Sequence, residues 1–321
     1  MSFLNLENVK IHYPLPKDGL FAERRAVKAV DGVSFGLDKG LVLGIVGESG
    51  CGKSTLARGI MALEKVSEGQ ITLMGKDLLG MSPSELKGFR RHFQMVFQDP
   101  EASLNPRMTC GEIIGEPLKV YEPSWSKEKR ESEVRELMLM VGLNPAMVRR
   151  FPHEFSGGQR QRINIARAIS IKPQLLVCDE SVSALDVSIQ AQILQLLEDL
   201  KTRLNLTLLF ISHDLAVVRY ISDQILVMYL GHVMEKGSAE QVIHNPRHPY
   251  TKALVSAVPR YKRLDQPVEL AGEIPSPINP PEGCVFSTRC PMAQDRCRRE
   301  APPLEEVDNG GLVACFFSNV P

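Results

Sequence analysis

The chain has 321 residues, 43% of them apolar, enough for one large domain or two modest ones with a real core. Its 38 lysines and arginines balance 38 aspartates and glutamates, so no net field favours nucleic acid or an anionic membrane surface. Residues 1–10 lack the basic start and apolar stretch of a secretory signal, and no apolar run approaches the ~18–20 residues that cross a bilayer. The expectation is a cytosolic chain; if it serves a membrane process, other polypeptides must cross the membrane.

In chain order, residues 1–98 read as strand-rich, with strands expected over 4–12, 27–37, 41–46 and 70–73. After the third of these comes Gly47-Glu48-Ser49-Gly50-Cys51-Gly52-Lys53-Ser54-Thr55, which fits the phosphate-loop pattern G-x-x-x-x-G-K-[ST] throughout. A helix over 56–63 completes the strand–loop–helix context that the motif needs. Backbone N–H groups of such a turn point at phosphate oxygens, and the helix N-terminus adds its positive end. Lys53 would reach the β- and γ-phosphates, and the Ser54 hydroxyl would ligate Mg²⁺. The bland alternative is a glycine-rich turn that binds nothing.

A polar, helix-prone middle follows over about 99–171, read as an insertion into the core. Its charge-dense stretch, 127–136, mixes both signs and reads as a solvated helix face. Strands over 174–178, 206–212 and 224–230 then alternate with helices over 189–203 and 215–222, the pattern of a parallel sheet covered on both faces. The first of these strands runs into Asp179-Glu180. At the carboxyl edge of a parallel sheet, where ligands collect, Asp179 can hold Mg²⁺ and Glu180 can orient or deprotonate a water. Within the insertion, Phe155-Ser156-Gly157-Gly158-Gln159 offers a capping serine and two glycines that let backbone approach a phosphate. Elsewhere such a sequence would be a mere helix cap.

In this order the motifs resemble those of the ATP-binding-cassette (ABC) ATPases, over roughly residues 1–250. The resemblance implies an α/β P-loop ABC ATPase fold: a RecA-like parallel-sheet core, an antiparallel β part and a helical subdomain at about 99–171. Phe155 to Gln159 is close to the family signature Leu-Ser-Gly-Gly-Gln, with only Phe155 departing. Gln98, in Phe97-Gln98-Asp99-Pro100, looks like the Q-loop glutamine that reaches Mg²⁺ and water. Ser183-Ala184-Leu185-Asp186 looks like the D-loop, and His213 like the switch histidine at the γ-phosphate. Ser181 stands where the family usually has proline.

Glu180, His213 and Gln98 are thus the implied catalytic set. ATP and Mg²⁺ would be held by Gly47, Glu48, Ser49, Gly50, Cys51, Gly52, Lys53, Ser54, Thr55, Gln98 and Asp179, with Ser156, Gly157, Gly158, Gln159 and Asp186 facing a nucleotide from a partner subunit. Tyr13 is the expected platform for adenine, a plain surface tyrosine being the alternative. The resemblance further implies two subunits closing head-to-tail on ATP, so that γ-phosphate contacts drive a mechanical stroke.

Within that family the chain resembles the ATP-binding subunits of oligopeptide and dipeptide importers. Ser183-Ala184-Leu185-Asp186-Val187-Ser188-Ile189-Gln190-Ala191-Gln192 and Asn245-Pro246-Arg247-His248-Pro249-Tyr250-Thr251-Lys252-Ala253-Leu254 carry this, with a cysteine-bearing tail. Tyr13-Pro14 with Gly19-Leu20-Phe21 resembles the second of the two ATPases such systems use. The implied partners are a homologous second ATPase, two transmembrane permease subunits and an external substrate-binding protein, with no nucleic acid. The implied location is peripheral, on the cytoplasmic face of the membrane. Nickel, glutathione or another small solute are alternative cargoes, and a non-transport ABC ATPase of translation or DNA repair is the rival class.

Composition shifts near residue 250, where a boundary to a C-terminal domain, 251–321, is expected; 250–258 reads as a short helix and 265–283 as a proline-rich linker. Seven cysteines, an odd number in a chain without an export signal, argue against a disulfide framework. Cys51, Cys110 and Cys178 are scattered, whereas Cys284, Cys290, Cys297 and Cys315 form C-x5-C-x6-C-x17-C. Four cysteines in a short segment with a poor core suit metal ligands, although the spacing lacks C-x2-C knuckles and admits Zn²⁺ or an iron–sulfur cluster. The resemblance to importer tails implies a [4Fe–4S] cluster; free thiols are the remaining alternative.

Overall fold

The computed structural model describes residues 2–16, 25–183, 185–258, 270, 272–307 and 310–318. The segment with Gly19-Leu20-Phe21, Ala184 and residues 265–269 of the expected linker lie outside the described residues. The chain divides into two compact units, Met1–Gly80 with Ser212–Pro321, and Met81–Ile211.

The first unit opens with β1 (Leu4–Pro14) and β2 (Ala26–Leu37), an antiparallel pair. Leu4 and Leu6 are buried, then Val9 and Ile11, so the period of two slips once. A register shift between Leu6 and Val9, with Asn8 in the left-handed conformation, absorbs the slip and returns apolar side chains to one face. All five residues of β3 (Val42–Val46) are buried, as in a strand covered on both faces. Helix α1 (Lys53–Ile60) follows, starting earlier than the sequence pattern indicated because Gly52, left-handed at φ 105°, turns the chain directly into it. Then β4 (Glu68–Leu73) and β5 (Lys76–Asp77) complete an antiparallel sheet ordered β2-β1-β4-β5.

The second unit begins with α2 (Pro83–Phe89), closed by a Ser82–Glu85 capping box, and the short strand β6 (Phe93–Val96). Thr109 and Glu112 form the same box on α3 (Cys110–Tyr121), and Ser126 caps α4 (Lys127–Met140). Only Val134, Leu137 and Met138 of α4 are buried, so its charged stretch is the solvated face expected. Helix α5 (Gly157–Ile169) packs against α3 and α4. Next come β7 (Leu175–Asp179), α6 (Val187–Leu204) and β8 (Thr207–Ile211). Strands β6, β7 and β8 are parallel, with Val96 opposite Cys178 and Cys178 opposite Phe210. This unit therefore combines a parallel sheet, buried throughout β7 and β8, with a helical segment.

The chain re-enters the first unit with α7 (Leu215–Ile221) and β9 (Gln224–Tyr229), which lies parallel to β3. Leu230 and Gly231, both at positive φ, turn β9 back into the antiparallel β10 (His232–Ser238), the geometry of a two-residue hairpin. Two short helices, α8 (Ala239–His244) and α9 (Pro249–Ser256), follow. Residues 272–283 carry neither helix nor strand, and α10 (Asp295–Arg299) precedes β11 (Glu305–Val307) and β12 (Gly311–Val313). Strand β12 pairs with β10 and β11 with β12, so the C-terminal segment extends the same sheet that holds β9 and β3. Among the described residues no helix is long and apolar enough to cross a membrane.

Candidate functional site

The phosphate-loop residues form a tight curl between β3 and α1. A Cβ at Gly47 would lie 2.1 Å from the Met228 carbonyl oxygen, and one at Gly52 would lie 2.1 Å from that of Ala29. Backbone from β9 and β2 thus presses on the loop where it has no side chains. The Cys51 carbonyl accepts from Gly231 N at 2.9 Å, tying the loop to the β9–β10 turn. Lys53 is 4% exposed; its Nζ donates to the Gly47 carbonyl at 2.8 Å and the Glu48 carbonyl at 3.0 Å. The ammonium therefore sits in the mouth of the curl, at the start of a helix, where an anion would find both a charge and backbone N–H groups that the helix itself does not use.

Tyr13 lies on β1 and is 37% exposed. Burial pushes its pKa up, with Glu64 adding to the effect. An exposed flat ring of this kind can stack on a base. His213 is exposed in the turn before α7. Its neighbour Asp214 caps that helix, accepting from Ala216 N at 2.8 Å and Val217 N at 3.4 Å. Asp214→Ala should cost about 1 kcal/mol of stability and Asp214→Asn much less, as urea unfolding of both variants would check.

In the second unit, Asp179 ends β7 and is 2% exposed. Glu180 follows with φ 44°, its amide donating to the Ile211 carbonyl at 3.0 Å. Gln98 Nε2 donates to Glu180 Oε2 at 2.9 Å, so two residues 82 positions apart meet. Ser183 Oγ donates to the Glu180 carbonyl at 2.9 Å, which ties the D-loop turn to the acid although Ser181 replaces the expected proline. Ser156 and Gln159 bond each other: Gln159 N reaches Ser156 Oγ at 3.4 Å, and Ser156 N reaches Gln159 Oε1 at 3.0 Å. Their box opens α5 with Ser156 and Gly157 exposed, and a Cβ at Gly158 would strike Ile189 Cγ2 at 2.5 Å. Asp186 is exposed at the N-cap of α6, its carboxylate not used as a cap.

Cys284, Cys290, Cys297 and Cys315 line one cavity of about 20 Å³ in the first unit, with His248, Phe286, Met292 and Phe316. None of them is in a disulfide. Burial pushes the Cys284 thiol up to about 11, and the other three cysteines add to the shift; Cys290 and Cys315 are raised for the same reasons. Thiolates of cysteine are the form that ligates a metal. His248 Nδ1 accepts from Tyr250 N at 3.1 Å, so that nitrogen is not open to a metal. Among the described residues no three His, Cys, Asp or Glu side chains close on one point as a single ion needs. Four thiols that line one cavity are a donor set that zinc or an iron–sulfur cluster could use.

Sequence reasoning missed the residues that grip the loop from this region. Glu48 N donates to Tyr250 Oη at 2.9 Å, and Arg289 donates to both Glu48 carboxylate oxygens, at 2.6 and 3.0 Å. Partners separated by more than two hundred positions leave no local signal.

A family described as "ABC transporter" matches residues 30–183, and one described as "Oligopeptide/dipeptide transporter, C-terminal region" matches residues 234–297. The chain is 54% identical over 312 residues to the oligopeptide transport ATP-binding protein OppF of Escherichia coli (strain K12), covering 94% of this chain and 92% of that protein. It is 52% identical over 322 residues to the oligopeptide transport ATP-binding protein AppF of Bacillus subtilis (strain 168), covering 98% and 97%. Among solved structures, the post-hydrolysis dimer of the ATP-binding cassette MJ0796 bound to ADP and Pi aligns with a TM-score of 0.66 at 28% identity, over 74% of this chain and 98% of that one.

Proposed function

This chain belongs to the ABC-transporter family of ATP-binding proteins, in its oligopeptide and dipeptide transport branch, and from that premise we propose that it hydrolyses ATP to power peptide uptake through a membrane permease. The observation that carries the reading is identity of 54% along 94% of the chain to an oligopeptide transport ATP-binding protein, including the C-terminal region. Lys53 and the loop amides bind the phosphates, Ser54 and Asp179 hold Mg²⁺, Gln98 and Glu180 orient and deprotonate water, and His213 meets the γ-phosphate. Ser156 to Gln159 and Asp186 serve the nucleotide of a homologous, non-identical ATPase, of which this chain is the second of the pair. Two permease subunits and an external binding protein complete the assembly, which places this chain on the cytoplasmic face of the membrane.

The test is co-purification from detergent-solubilised membranes, followed by ATPase assay in proteoliposomes. Recovery with two permease subunits and a second ATPase, and stimulation by peptide-loaded binding protein, is the expected result. Stimulation by nickel or glutathione instead would reassign the cargo, and recovery only with ribosomes or DNA would overturn the transport reading.

The four cysteines are proposed to hold a [4Fe–4S] cluster, supported by four separate thiols around one cavity. Its role there is to staple a segment with little core of its own. Anaerobically purified chain should contain about four iron and four sulfide, lost in Cys290→Ser. Stoichiometric zinc without iron would make the centre a zinc clip, and absence of both would remove the metal reading.

A further inference from the structure

Glu48, the second residue of the phosphate loop, is held on two sides by groups 202 and 241 positions away. Tyr250 Oη accepts from its amide at 2.9 Å, and the Arg289 guanidinium spans its carboxylate at 2.6 and 3.0 Å. Arg289 is 7% exposed at its side chain, and Nη1 also reaches Tyr229 Oη at 3.4 Å. It immediately precedes Cys290 in the chain. Phe286, two residues after Cys284 and fully buried, meets Tyr229 edge-on at 5.2 Å and Tyr250 at 5.3 Å. Cys284 and Cys290 thus bracket a segment whose arginine and phenylalanine both act on the loop's supports.

The Glu48 carbonyl in turn accepts from Lys53 Nζ at 3.0 Å. A continuous path of bonded groups runs from Cys290 through Arg289 and Glu48 to the ammonium that meets phosphate. A glue contact for the tail would need only an exposed, one-pronged ion pair, which is worth little. A bidentate pair with its arginine side chain buried, on a residue of the loop, fixes geometry as well as energy.

We propose that Arg289 is a positioning residue for the phosphate loop, through which the order of the four-cysteine module sets nucleotide affinity. The proposal rests on the reading of the loop as the ATP site, and not on which metal the cysteines hold. Linkage makes the effect reciprocal: nucleotide in the loop must also tighten the module.

Two measurements on the full chain test this. Affinity for a fluorescent ATP analogue should fall about tenfold in Arg289→Ala, with Arg289→Lys in between, because an ammonium cannot span both carboxylate oxygens. Alkylation of Cys290 and Cys315 by N-ethylmaleimide, which in a metal-loaded chain follows release of each thiol from the metal, is mapped by mass spectrometry and should slow several-fold when a non-hydrolysable ATP analogue and Mg²⁺ are added to the wild type. In Arg289→Ala that protection should vanish. If Arg289→Ala does not fold, Glu48→Gln gives the same comparison, since it keeps side-chain size and removes the charge. Lowered thermal stability with affinity and thiol protection unchanged would make Arg289 a merely structural contact and overturn the proposal. A wild-type chain that binds no nucleotide would overturn the ATP reading itself, whereas binding without thiol protection would overturn only the coupling.

Discussion

Replacing Glu180 by glutamine lowers ATP turnover by a factor of about 10²–10⁴ while nucleotide affinity stays near that of the wild type. The side chain keeps its shape, and its amide oxygen can still accept the hydrogen bond that Gln98 Nε2 makes to Glu180 Oε2 at 2.9 Å. The backbone is equally undisturbed, because Glu180 N is fixed on the Ile211 carbonyl at 3.0 Å regardless of the side chain. What disappears is the capacity to take a proton from water as it attacks. Phosphoryl transfer relies on positioning and charge more than on covalent chemistry, so a residual rate survives. Single-turnover kinetics beside equilibrium nucleotide binding separate the two effects. Turnover close to wild type would remove Glu180 from the chemistry.

Gly52→Ala should cost about 3 kcal/mol of stability and weaken nucleotide binding roughly a hundredfold. At φ 105° an L side chain is strained, and its Cβ would lie 2.1 Å from the Ala29 carbonyl oxygen. The obstacle is backbone of β2, so no rotamer change relieves it. The loop must move instead, and with it the N–H groups at the start of α1. Denaturant unfolding and nucleotide titration of the variant check both halves. Unchanged affinity would show that the loop's path is looser than its contacts imply.

Phosphate-loop, signature and Asp-Glu motifs were legible because each depends on residue types a few positions apart. Backbone amides, a lysine and a magnesium-binding hydroxyl must be local to share one phosphate. The buried strands β3, β7 and β8 were equally legible as short apolar runs bounded by polar residues. Strand β6, only four residues between a basic turn and Gln98, offers too short a run to stand out. The slip of period in β1 was hidden because Asn8 reads as one more polar position until its φ of 48° is known. In the C-terminal segment, cysteine spacing pointed to a cluster of thiols but carried no trace of β12, which gains its strand character from pairing with β10. The grip of Arg289 on Glu48 was invisible for the same reason.

That pairing of β12 with β10 bears on how the protein behaves when it is cut. A bare β10 would present a row of open N–H and C=O groups beside Val233 and Met234, the kind of edge that recruits strands from neighbouring molecules. Strand β12 covers it, and the sheet then stops at β11, three residues long with Glu305 and Glu306 exposed on it. A short, doubly negative border repels a second copy of itself. Fragments trimmed back to the nucleotide-binding motifs would therefore aggregate, even with every motif intact. The cysteine-bearing tail is, in this respect, a solubility device for the motor it adjoins.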